Sequence, residues 1–212
     1  WGLKGIHQGI VDSHNDTKTR RHNRHIVMSQ RYRGVTTRLL DREERLIHTE
    51  EPTPLVIERQ GRSGSLGFLR EFLSSNSSKI RMDIATHGAV LLRGFDLRRP
   101  QDFEGATLAI SDFQGINECL MSEPGRELVP GTRFVHHTNN LYKTGGSLYL
   151  GGFHSENYYS PDVPRYIAFF CEQASPIGGE TGLVNTAKLF SDLPEALQTE
   201  LKQRPYWVAA WP

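Results

Sequence analysis

Cysteine is scarce in this 212-residue chain: Cys119 and Cys171 are the only two. They are too far apart for a Cys-x-x-Cys pair, neither has a His within two residues, and two thiols cannot build a disulfide framework. No run of 18 apolar residues is present, which excludes a hydrophobic membrane-spanning helix. No charged-then-apolar signal segment opens the sequence, and with unpaired thiols this predicts a cytoplasmic protein. Charge of one sign is also lacking: 25 Lys and Arg against 24 Asp and Glu give a net +1, which implies no general affinity for nucleic acid. An apolar content of 37% over this length fits one globular domain, and there is no internal repeat.

The balanced total hides an uneven distribution. Residues 18–45 carry nine Lys or Arg (Lys18, Arg20, Arg21, Arg24, Arg31, Arg33, Arg38, Arg42 and Arg45) against three acids. Such an arm could meet phosphate, an acidic carrier protein or an anionic substrate, but without interleaved aromatics it reads better as a solvated extension. Regular patterning begins near residue 53. Pro54–Glu58 reads as a strand, and Ser65–Leu73 has apolar positions at 66, 69, 72 and 73, a helical spacing. Ser77 or Ser78 can cap a second helix from Lys79 to His87, ended by Gly88. The apolar run Ala89–Leu92 predicts a buried strand closing at Gly94, and a third helix follows Pro100. A hairpin is expected over Thr132–Tyr149, a core strand over Pro164–Cys171 and a short strand over Leu183–Asn185. Thr186 should cap a turn, and Leu193–Leu201 should be an amphipathic helix packed outside a sheet.

Chemistry enters at His154-Ser155-Glu156, inside an aromatic and aliphatic run from Ser147 to Tyr159. Residues two apart on a strand share a face, so an imidazole and a carboxylate so placed can grip one metal ion. Two further His-x-acid triplets exist, His14-Asn-Asp16 and His48-Thr-Glu50, but both lie in polar chain with no apolar alternation. Two imidazoles and one carboxylate hold iron(II) on one face and leave positions open for a co-substrate and dioxygen. Zinc would more often take Cys or a third His. His136, His137 and His87 are weaker candidates for a further ligand.

Together with Gly88-Ala-Val-Leu-Leu-Arg-Gly-Phe95, the Pro161–Cys171 segment and Gly178-Gly-Glu-Thr181, this pair resembles the taurine dioxygenase (TauD/TfdA) family over roughly residues 54 to 204. The family's carboxylate is usually Asp, and Glu156 is closer to the clavaminate synthase-like branch, which hydroxylates amino acids and their derivatives. The resemblance implies a mixed α/β (α+β) chain with a double-stranded β-helix, or jelly-roll, core and flanking helices. Residues 1–53 would form a partly irregular basic extension, and residues 54–212 the N-terminal portion of the dioxygenase domain. Also implied are iron(II) held by His154 and Glu156, 2-oxoglutarate and dioxygen as co-substrates, and Thr181 as a 2-oxoglutarate contact. Thr181 stands 25 residues after Glu156, the family's spacing, beside two glycines that allow a tight turn. Leu150 and Asn157 fall where family members contact substrate.

No His follows Glu156, although the pattern calls for a distal His and then an Arg; the expectation is that both lie beyond residue 212. The substrate class expected is a small molecule, first a free or carrier-bound amino acid, second a sulfonate or aryloxy acid, with a homo-oligomer among the open assembly states. Two rivals stand beside this reading: a catalytically silent jelly-roll binding module, and a cupin-type metal enzyme that needs no 2-oxoglutarate.

Overall fold

The sheet is built around Leu55–Arg59 (β2), whose Leu55, Val56 and Ile57 are completely buried. The computed structural model describes residues 32–47, 51–61, 64–115, 127–138, 153–156 and 163–204. β2 lies between Val35–Leu39 (β1), antiparallel to it in the register Thr37↔Ile57, and Val90–Arg93 (β3), parallel to it in the register Ile57↔Leu92. A central strand with both faces covered reads as a continuous apolar run, which is why Pro54–Glu58 is legible as a strand; β3, at the edge of the described sheet, is half-buried apart from Leu91.

Two helices make the crossover that a parallel pair requires, Leu66–Ser75 (α1) and Ser77–His87 (α2). The Ser65 hydroxyl accepts from the Phe68 N–H and starts α1, while Gly88, at φ 72°, ends α2 in a conformation that favours glycine. The expected cap at Ser77 or Ser78 moves to Asn76. Ser77 is instead inside the helix, where its hydroxyl donates to the Leu73 carbonyl at 2.9 Å and accepts from the Ser111 N–H at 2.9 Å. Pro100 opens the third helix, Pro100–Thr107 (α3), at a position where its missing donor is harmless. One face of the sheet (Val35, Leu55, Ile57) packs on Leu69, Phe72, Leu73, Ile80 and Ala106 to form the core.

β1 lies within the basic stretch, and its one charged residue, Arg38, is ion-paired inside the fold. Arg38, Glu58 and Arg93 project to the face opposite the core, where Arg38 pairs with Glu44 and with Glu58 at 2.8 Å, and Arg93 pairs with Glu44. Burial alone would raise the Glu44 carboxyl, but hydrogen bonds from Arg38, the Asp41 backbone and Arg93 hold it at about 2 against an ordinary 4.5. A carboxylate depressed in the folded state stabilises the fold above the unfolded value and loses that contribution as pH falls from 4.5 toward 2. Glu44→Gln is therefore expected to flatten the acid limb of the stability curve in that window, as read by urea melts from pH 7 downward. An unchanged acid limb would show that the network contributes nothing there.

Ahead of β1, the buried Tyr32 hydroxyl donates to Asp83 of α2 at 2.6 Å, with its ring edge-on to Phe72. Farther along, the Asn185 carboxamide, rather than Thr186, caps a short helix, Thr186–Ser191 (α4). Pro194 precedes the last helix among the described residues, Glu195–Gln203 (α5). The strands expected over Pro164–Cys171 and Leu183–Asn185 are not formed. A strand exists only when a neighbour takes up its N–H and C=O groups, and neither segment has such a ladder among the described residues. For the same reason the apolar side of α5, with Leu197 and Leu201, stays open there instead of lying on a sheet. No helix among the described residues is long and apolar enough to cross a membrane.

Candidate metal centre

Helix α3 organises the chain on both sides of the His154 and Glu156 pair. Ahead of the pair, residues 127–138 form a small antiparallel loop with one bridge, Leu128↔His136, turning through Pro130 and Gly131. This turn lies ahead of the hairpin expected over Thr132–Tyr149, most of which falls outside the described residues. After the pair, the 163–171 segment lies along α3 and the loop beyond it. Phe170 stacks on Phe103 with ring centroids 5.5 Å apart, and Tyr166 stacks on Phe113 at 4.7 Å.

Phe153–Ser155 lie outside any strand or helix, and Glu156 is in a turn. The strand expected here is not formed among the described residues, because no neighbouring strand pairs with it; the alternation that would place both donors on one face is not imposed by a ladder. His154 is exposed and Glu156 half-buried, and both make further interactions within the chain. Thr181 is half-buried after a turn in which Gly178 and Gly179 take φ of 69° and 86°, with the Ser175 hydroxyl donating to the Ile177 carbonyl at 2.8 Å. The tight turn expected from the two glycines is therefore present. Leu150 and Asn157 lie outside the described residues.

The donor chemistry suits iron(II) as far as it goes: a nitrogen and a carboxylate oxygen, two members of a facial triad. No group of three His, Cys, Asp or Glu able to hold a metal ion assembles among the described residues. Burial pushes the Cys171 thiol up, away from the thiolate a metal would need. His87 is 4% exposed at the end of α2; its Nδ1 donates to the Pro52 carbonyl at 2.8 Å, its Nε2 is buried with no hydrogen-bond partner among the described residues, and it joins no group of three metal donors there.

Residues 48–207 match the family model described as taurine catabolism dioxygenase TauD, TfdA family, and the chain belongs to that family. Among curated proteins it is 26% identical over 121 residues to the dapdiamide synthesis protein DdaC of Enterobacter agglomerans, a match covering 57% of this chain and 34% of that protein. The match thus spans about a third of the relative's length. No solved structure matches the chain significantly.

Proposed function

We propose that the protein is a non-heme iron(II)- and 2-oxoglutarate-dependent dioxygenase that oxidises an unactivated C–H bond of a small molecule, with a free or carrier-bound amino acid as the first substrate class. The observation that carries this reading is the order of motifs inside the family match: the His154 and Glu156 donors, then Thr181 after a glycine turn at the family's spacing. A relative named for dapdiamide synthesis supports a role in making a small molecule. The family's jelly-roll architecture and a cytoplasmic location belong to the same proposal.

His154 and Glu156 would hold the metal, leaving the third protein position to a donor outside the described residues. The Thr181 hydroxyl would donate to one 2-oxoglutarate carboxylate, and the Gly178-Gly179 turn would bring the backbone close beside it. Iron(II), when bound, would let dioxygen oxidise 2-oxoglutarate to succinate and carbon dioxide and the substrate C–H to C–OH, one oxygen atom going to each. The chain's own task is placement: holding the keto acid by its carboxylate and keeping the substrate beside the donors.

The full-length protein, given iron(II), dioxygen and 2-oxoglutarate, is expected to release succinate slowly even without its true substrate. No succinate at all would favour the silent binding module. Substrate turnover that needs no added 2-oxoglutarate would favour the cupin-type enzyme.

A further inference from the structure

We propose that residues 127–138 are a strap that docks on α3 and opens as one unit, with the Glu104 carboxylate as its catch; this stands independently of the dioxygenase reading. Oε1 of Glu104 accepts from two successive backbone N–H groups, Arg133 and Phe134, each at 2.7 Å. Hydrogen bonds to a carboxylate are charge-assisted and stronger than neutral ones. Three residues earlier on α3, and so on the same helix face, the Gln101 side chain donates to the Pro130 carbonyl at 2.9 Å. A third tie is apolar: the Phe134 ring is seated against Gly115 so closely that a Cβ there would overlap it, and the Arg133 guanidinium lies over the same ring, 5.1 Å from its centroid.

The strap has a shape of its own. The Val129 N–H donates to the Val135 carbonyl at 2.8 Å and the His137 N–H to the Glu127 carbonyl at 3.0 Å. Across the turn, the backbone N–H and the hydroxyl of Thr132, a residue only 8% exposed, both donate to the Val129 carbonyl. This shape cannot hold alone. Its one bridge, Leu128↔His136, is less than a hairpin, and even an isolated hairpin is marginal in water. Docking on α3 and internal bonding are therefore one equilibrium: when the ties to Glu104, Gln101 and Gly115 let go, the bonds inside the strap open with them. Such a unit opens well below the free energy that unfolds the core around β2 and α1, and its opening uncovers the α3 surface at Gln101 and Glu104.

Amide hydrogen exchange, followed residue by residue by NMR in the full-length protein, tests this. The reporters are Val129, Thr132 and His137, whose N–H groups bond within the strap and not to Glu104. Glu104→Ala is expected to quicken these three together with Arg133 and Phe134 by about tenfold, which the loss of one hydrogen bond to a charged group is enough to produce. Gly115→Ala acts at a different place, through the Phe134 ring, and should quicken the same five amides by a common factor. In both variants the amides of Leu55 and Leu69, bonded to the Ala89 and Ser65 carbonyls, should exchange as in wild type. Quickening confined to Arg133 and Phe134 in Glu104→Ala, different sets of amides in the two variants, or no quickening at all would overturn the proposal. Equal quickening at Leu55 and Leu69 would do the same, because the strap would then have no opening separate from the core.

Discussion

Alanine in place of His154 or of Glu156 is expected to remove iron-dependent succinate formation, a fall of at least roughly a hundredfold, since loss of even an outlying partner of a metal ligand can reach that scale. In the proposed centre each side chain would supply one of the protein's donors, and an under-coordinated site binds its ion weakly. Glu156→Asp keeps the carboxylate but is one methylene shorter, so it should retain a measurable share of the activity. In Glu156→Ala or Glu156→Gly the vacated position becomes open to a halide. His48→Ala provides the control, because its triplet lies in polar chain ahead of Pro52 and should leave turnover unchanged. Succinate release at the wild-type rate from both alanine variants would end the assignment of these two residues.

The second large effect is on stability. Leu69→Ala is expected to destabilise the protein by about 3 kcal/mol, in the middle of the range for emptying a leucine site in a packed core. Leu69 is fully buried where α1 meets the sheet, in the cluster with Leu55, Ile57 and Ile80. A loss of that size is a substantial part of the roughly 5–15 kcal/mol that holds a domain together. Leu201→Ala is the contrast: with Leu201 52% exposed on α5, the change should stay within about 0.5 kcal/mol. Urea midpoints of the two variants read the difference directly. Equal shifts would mean that the core is not centred on β2 and α1.

Local signals were legible where the chain satisfies itself. The apolar spacing of α1, the glycine that ends α2, the proline that opens α3 and the short apolar runs of β2 and β3 all specify structure within a few residues, and each element formed there. β1 escaped because its arginine made Val35–Leu39 look like part of a basic arm, and only the fold shows Arg38 meeting Glu44 and Glu58. The segments 164–171 and 183–185 failed in the other direction: their composition favours strands, yet a strand is a property of a pair, and no pairing is formed there among the described residues.

The candidate site divides in the same way. By itself the sequence singled out the candidate donors, His154, Glu156 and Thr181, and their order, all inside the stretch that matches the family, because residue identity and spacing are written residue by residue. Tertiary structure alone decided that His87 is buried against the Pro52 carbonyl and that a glutamate on α3 grips the loop at residues 133 and 134. Both depend on contacts across 29 to 35 positions, which form only when packing closes the chain on itself and which no short-range pattern encodes.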